Sequence, residues 1–100
     1  MHFLSKLALM LLSVVTDSSS TQLYVHLDLE GIAQLTRSLE FLKRSLEAGA
    51  CEHDHLFSET NGSDELTETM LEQERAAGCK QIHHVKLYAW TDEWRAKHEL

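Results

Sequence analysis

One long helix constrains the fold of this chain more than any other feature of its sequence. Residues 29–48 read LEGIAQLTRSLEFLKRSLEA, and their apolar side chains recur at steps of three and four, which places them along one side of an α-helix. Asp28 is suited to cap the first turn, and Gly49 is suited to end the last one. The stripe comprises Ile32, Leu35, Leu39, Leu42 and Leu46. It covers barely two heptads, so packing on a sheet is favoured over a coiled coil.

The segment before this helix, TQLYVHLDLE, has the alternation of a half-buried strand. Leu23, Val25 and Leu27 would fall on one face, and Tyr24 and His26 on the other. Because the first set is apolar, we expect that face to meet the core.

Two more strands are predicted after the helix. The segment CEHDHLFS at residues 51–58 is the first, and QIHHVKLYAW at residues 81–90 is the second. Between them Asn61 and Gly62 signal a turn, and residues 63–77 contain strong helix formers that predict either a short helix or a long polar connection. The last ten residues predict a polar tail with about one helical turn.

The order strand, helix, strand, variable segment, strand predicts an α+β fold. We expect a small, mostly antiparallel sheet with one long helix packed across one face. The division along the chain is an apolar N-terminal extension at residues 1–20, the α+β domain at 21–90 and a polar tail at 91–100.

The apolar start of the chain, MHFLSKLALMLLSVVT, fits three interpretations. It is too short for a membrane-spanning helix. It has the form of a weak signal peptide, with one lysine, an apolar run and the small residues Ser18 and Ser20. It also fits an amphipathic helix, or an extension created by a start codon assigned too far upstream.

The charge of the chain restricts its partners. The formal net charge is -7, from 16 acidic and 9 basic residues. Nucleic acids and anionic membrane surfaces would repel such a chain, so we expect neither as a partner. A basic protein suits it better.

The segment ACEHDHLFSE is dense in metal-ligand side chains. On a strand, Cys51, His53 and His55 would share a face. His83 or His84 from the last strand would complete a zinc site. The competing interpretation is that these histidines bond to one another and to the backbone, with Cys51 a small buried residue. No cofactor is expected under this second interpretation, and zinc under the first.

The two cysteines, Cys51 and Cys79, do not form a metal-binding or redox pair of the C-x-x-C type. Two reduced thiols in a cytoplasmic protein are the favoured interpretation. If residues 1–20 are a cleaved signal, the protein is exported and a bridge between the two cysteines becomes possible.

Three short motifs together resemble immunity protein family 32, small α+β proteins of bacterial polymorphic toxin systems. They are H-x-H-L at residues 53–56, G-x-x-E-L at 62–66 and H-x-K-x-Y-x-W at 84–90. The similarity runs from about Thr21 to Trp90. It implies a non-enzymatic protein that binds and neutralises a cognate toxin domain.

Many such toxins are nucleases with basic clefts, which an acidic protein can occupy in place of nucleic acid. The candidate partner-binding residues are Glu59, Asp64, Glu65 and Glu68, with Glu52 and Asp54 as further candidates. The alternative functions are a small metal-binding protein using the Cys/His cluster, and a homo-oligomer that pairs exposed sheet edges.

Overall fold

The computed structural model describes residues 10–100, and the predicted α+β class is confirmed: antiparallel strands accompany one long helix. The interpretations placed on residues 1–9 lie outside the described residues. The elements are β1 (Leu12–Thr16), β2 (Leu23–Leu27), α1 (Leu29–Glu47), β3 (Glu52–Phe57), a 3-10 turn (Glu59–Asn61), α2 (Glu72–Ala76), β4 (Lys80–Gln81), β5 (His84–Ala89) and α3 (Asp92–Lys97).

The long helix begins and ends where the sequence predicts. The Asp28 carboxylate accepts the amide of Gly31 at 2.7 Å and the amide of Leu11 at 3.0 Å. These two bonds, the Gly31 amide first, hold the pKa of Asp28 below its usual value. At the other end Gly49 has φ of 83°, a left-handed conformation that costs glycine little. Asp28 therefore joins the helix start to the chain that leads into β1.

The strands form two sheets. In the first, the order is β2-β1-β4; in the second, β3 pairs with β5, and all pairs are antiparallel. Helix α1 contacts β1, β2, β3 and β5. It therefore packs across strands of both sheets and holds them in one structure.

The apolar N-terminal region contributes the central strand of the first sheet. β1 pairs with β2 on one side and β4 on the other, and its Leu12, Val14 and Val15 are at most 5% exposed. The helical interpretation of this region is therefore wrong over Leu12–Thr16. The expected division after residue 20 runs through the sheet, between β1 and β2.

The structure covers only part of the predicted stripe: Leu42 is buried and Leu35 packs against the core, whereas Ile32 is 48% exposed. Gly31, Ser38 and Leu42 are buried, whereas Leu39 is 51% exposed. Ser38 lies against the sheet, where its hydroxyl donates to Asp54 of β3 at 2.6 Å. The small residues of α1 thus approach the sheet, and part of the leucine stripe stays in solvent.

Residues 63–77 form a helix only over Glu72–Ala76. The preceding stretch is extended because it packs beside β1: the Thr67 amide donates to the Leu12 carbonyl at 2.8 Å. Leu66, in the same stretch, is 2% exposed. Burial of this leucine and pairing with β1 override the local helix propensity.

The core lies between the two sheets and α1. Its buried members are Leu12, Val14, Leu56 and Leu66. Partly buried side chains complete it: Met10, Leu35, Ile82, Val85 and Leu87. The core is small, so each of its leucines matters for stability.

Candidate functional site

The connection after β3, residues 58–68, is anchored by one buried serine. Ser58 has no exposed surface, and its amide donates to the His83 carbonyl at 3.0 Å. Its hydroxyl lies 2.8 Å from His83 Nδ1. Its carbonyl accepts the amides of Asn61 and Ser63 at 3.0 and 3.1 Å. The start of the connection is thereby fixed to the strand region beside it.

Two of the four predicted partner-binding carboxylates brace this connection from within. Glu65 Oε1 accepts the Phe57 amide at 3.0 Å and the Ser63 hydroxyl at 2.9 Å. Glu68 Oε2 accepts the Thr60 amide at 2.7 Å, which is the main reason that the pKa of Glu68 is lowered. Both side chains therefore have structural contacts, a role that spacing alone did not reveal.

The other two predicted carboxylates, Glu59 and Asp64, are exposed. Within residues 10–100, neither side chain has a hydrogen-bond or ion-pair partner. Gly62 lies between them in a left-handed conformation with φ of 92° and ends the 3-10 turn. The backbone of the connection is therefore braced, while two of its carboxylates have no hydrogen-bond or ion-pair partner among residues 10–100.

These charges belong to a larger electrostatic asymmetry. Residues 45–74 contain nine of the 16 acidic residues and none of the nine lysines and arginines. The rest of the chain consequently has a slight basic excess.

Of the further acidic candidates, Asp54 does not face solvent freely. It accepts the Ser38 hydroxyl of α1, so the face of β3 that it shares with Glu52 meets the helix. Asp54 is thus a contact between layers, as the alternation of β3 allows. The histidine face of β3 is the outward one.

Three of the four predicted metal-binding residues gather on that outward face. His55 Nδ1 lies 2.8 Å from His84 Nε2, and the His53 ring meets His55 edge-on at 5.0 Å between centroids. Partial burial, followed by the nearby charge of Lys86, lowers the pKa of His55. In the short contact one imidazole donates and the other accepts.

Cys51 does not join these histidines. Its sulfur lies 3.7 Å from the Thr91 hydroxyl and accepts the Thr91 amide at 3.4 Å, because the residue precedes β3 and turns towards the start of α3. Across residues 10–100 the structure has no group of three or more His, Cys, Asp or Glu side chains placed to hold a metal ion. The four-residue zinc site is not assembled.

A serine, a histidine and a glutamate meet at the base of the connection, which the sequence did not predict. The Ser58 hydroxyl and Glu68 Oε2 both approach Nδ1 of His83, at 2.8 and 3.7 Å. A nucleophilic triad instead uses both ring nitrogens, one for each partner, and needs a hydroxyl that substrate can reach. Since Ser58 is fully buried, this group fastens the connection.

Aromatic rings continue the histidine face towards the C-terminus. The ring of Tyr88 stacks on Trp90 at 5.2 Å, and Trp90 stacks on Trp94 at 4.0 Å. His98 closes the row at 3.9 Å from Trp94. The row fastens α3 to the end of β5.

No protein-family model, no curated protein and no solved structure matches this chain.

Cys51 and Cys79 are both unbridged and half-buried. Among the described residues, none of the helices has the length and apolar character needed to cross a bilayer.

Proposed function

We propose that this protein is an immunity protein, which binds a basic toxin domain and blocks it by occupying its substrate-binding surface. The observation that carries the proposal is the acidic connection between β3 and α2. It presents Glu59 and Asp64 without internal partners inside a thirty-residue stretch that has no lysine or arginine.

The connection suits fast and specific association. Its backbone is braced by Glu65, Glu68 and Ser58, so little conformational freedom is lost when a partner binds. The negative field of residues 45–74 raises the rate at which a basic partner is encountered. Exposed carboxylates on this braced backbone can also imitate the phosphates that a nuclease cleft binds.

The motifs that resemble immunity protein family 32 contain residues that shape this connection. Leu56 and Leu66 lie in the core, Gly62 supplies the left-handed turn, and Glu65 braces the connection. These residues shape the segment that carries the free carboxylates. The choice of toxin would then depend on the exposed residues around them.

We expect the cognate toxin domain to be encoded beside this gene. The test compares two charge-neutralised variants by stopped-flow association with that domain. Glu59→Gln with Asp64→Asn removes the two free charges. Glu30→Gln with Glu40→Gln removes two exposed charges from α1, both outside residues 45–74, and is the matched control. We expect the first variant to associate about tenfold more slowly at low salt and to show a weaker salt dependence.

The control should associate at close to the wild-type rate. If both variants slow association equally, net charge alone governs the encounter. If neither does, the acidic connection is not the surface that meets the toxin, and the proposal in this form is wrong.

A further inference from the structure

The central strand β1 directs only some of its backbone groups towards β2. The Leu12 carbonyl accepts the Thr67 amide, and the Val14 carbonyl accepts the Ile82 amide, each at 2.8 Å. Both bonds leave β1 on the side away from β2. Because successive residues of an antiparallel strand bond to opposite sides, the residues that bond β2 are Ser13 and Val15.

The register then identifies the free backbone groups of β2. Ser13 pairs with His26 and Val15 pairs with Tyr24, so Tyr24 and His26 use their amides and carbonyls within the sheet. The amides and carbonyls of the alternate residues point out from the edge, with no partner among residues 10–100. These alternate residues are Leu23, Val25 and Leu27.

The same three residues also expose apolar side chains. Their cross-strand partners include Leu12 and Val14, so they lie on the core face of the sheet. Yet Leu23 is 61% exposed, Val25 44% and Leu27 39%, because β2 lies at the edge of the sheet. The prediction that these three side chains lie on the core face is correct, but the prediction that this face is buried is wrong, because nothing among residues 10–100 covers them.

The outer edge of β3, unlike that of β2, has its outward backbone amides bonded to carboxylates. The Ser58 amide bonds towards β5, so the alternate amides of β3 point outwards. Each of these outward amides is accepted by a carboxylate. The pairs are His53 with Glu52, His55 with Asp54 and Phe57 with Glu65, each at 3.0 Å. Another strand cannot pair with this edge without displacing three charged groups.

The remaining edges carry recognised protection against pairing. β4 has only two residues and includes Lys80, and β5 has Lys86 near its middle. Short strands and lysines are common ways of preventing edge-to-edge association. β2 has neither: residues 18–27 contain no Asp, Glu, Lys, Arg or Pro, and its register with β1 has no bulge.

We infer that the edge of β2 pairs with β2 of a second copy of this chain. The two strands would run antiparallel about a two-fold axis at Val25, so that Leu23 of each copy lies opposite Leu27 of the other. Tyr24 would lie opposite His26. Three pairs would exchange about six hydrogen bonds, and the three-stranded sheets would join into one sheet of six strands.

Self-pairing fits the chemistry of this edge better than a foreign strand. A two-fold interface needs a patch that is complementary to itself, and this register sets apolar residues against apolar residues. The first charged residue after β2 is Asp28. In this register Asp28 of one copy lies opposite Gln22 of the other, so like charges are not placed opposite each other. One acidic residue of the segment 45–74, Glu74, lies 2.9 Å from His26 of β2. This contact is on the strand face opposite to Leu23, Val25 and Leu27.

The surface beside the strand extends the contact. Leu29 and Ile32 open helix α1 directly after β2 and are 85% and 48% exposed. Even with them, the buried area is at the low end for stable dimers. We therefore expect a dissociation constant on the order of 10 μM.

Sedimentation equilibrium between about 1 and 500 μM tests the pairing, because a dimer of this strength dissociates within that range. Wild-type protein should pass from monomer to dimer. Val25→Lys should weaken association at least tenfold, since two lysines would meet at the axis. Leu71→Lys introduces the same charge at a side chain of similar exposure, 47%, and should dimerise normally.

Amide hydrogen exchange of the wild-type protein tests the same pairing without a substitution, so a folding defect in a variant cannot affect the result. The amides of Leu23, Val25 and Leu27 should become protected as concentration rises, while those of Tyr24 and His26 stay protected throughout. A monomer at every concentration overturns the proposal, as does a dimer insensitive to Val25→Lys. If these amides are protected at every concentration, the edge is covered within one chain and the proposal is wrong. If they become protected only when toxin is added, the edge binds the toxin rather than a second copy, and the proposal is also wrong.

Discussion

Asp17 organises the turn between β1 and β2 although it lies near the surface. Its Oδ1 accepts the amides of Thr21 and Gln22 at 2.7 and 2.9 Å, and its Oδ2 accepts the Thr21 hydroxyl at 2.7 Å. These donors, the Gln22 amide first, lower the pKa of Asp17 from 3.8 to about 2. The charged carboxylate therefore holds the turn that sets the register of the two strands.

This pKa shift predicts an acid-dependent contribution to stability. Because the folded pKa is depressed, the stabilisation is complete above the unfolded value of 3.8 and is lost as pH falls to about 2. Urea unfolding of wild type and Asp17→Asn should show a stability difference near about pH 5 that shrinks by about pH 2. A difference that does not change over this range would contradict the assigned role.

Gly31 is a second residue whose role is set by its neighbours. It lies in the first turn of α1 and is buried, and a Cβ at this position would overlap the carbonyl oxygen of Leu11. Main chain from two segments meets here, so neither side can move easily. The residue permits the helix start to approach the chain leading into β1.

Gly31→Ala should destabilise the protein, although alanine is the better helix former by about 1 kcal/mol. Overpacking of this kind typically costs about 1–3 kcal/mol, and here the obstacle is backbone. Thr36→Ala, exposed on the same helix, should change the free energy of unfolding by less than about 0.5 kcal/mol. Equal effects in chemical unfolding would show that the close approach is absent.

At the scale of elements, the helix was predictable, but the part of its stripe that the sheet covers was not. Asp28 and Gly49 mark the ends of α1 by local chemistry, which a sequence displays. The inward side includes Ser38, whose hydroxyl bonds to Asp54 of another element. Periodicity identifies an apolar stripe, but it does not say which part of a wide stripe the sheet covers.

The same limit applies to the candidate site. The sequence identified four acidic residues in the connection after β3, and all four lie there. It did not separate Glu59 and Asp64, which are free, from Glu65 and Glu68, which accept backbone amides. Those bonds depend on how the chain returns to Phe57 and Thr60, which spacing does not encode.

Leucine substitutions in α1 test which side of the helix is inward. Leu42 is 5% exposed and Leu39 is 51% exposed. Leu42→Ala should lower the free energy of unfolding by about 2–5 kcal/mol, and Leu39→Ala by less than about 1 kcal/mol, because much of its surface already meets water. The reverse order in denaturant unfolding would mean that Leu39, rather than Leu42, faces the sheet.

At the scale of the whole molecule, the fold depends on the strand that the sequence placed outside the domain. β1 lies between β2 and β4, and its Leu12 and Val14 belong to the core cluster. The apolar run that contains it resembles a leader or a helix in sequence, because a short buried strand has no period of its own. Only its partners reveal it as a strand.

A variant lacking residues 1–20 should fail to fold cooperatively, since it loses the central strand and two core side chains. A variant lacking residues 99–100, which are exposed, should keep its cooperative transition. Circular dichroism during thermal unfolding distinguishes the two. A sharp transition in the shorter protein would mean that β1 is not required for the fold.

The claim that this protein neutralises a toxin is tested most directly by titration. The toxin domain that the proposal predicts beside the gene is held at a fixed concentration well above the expected dissociation constant. Its activity is measured as the purified protein is added. Stoichiometric inhibition predicts a linear loss of activity that is complete at about one equivalent. Full toxin activity in the presence of a large excess of folded protein would contradict the proposed function.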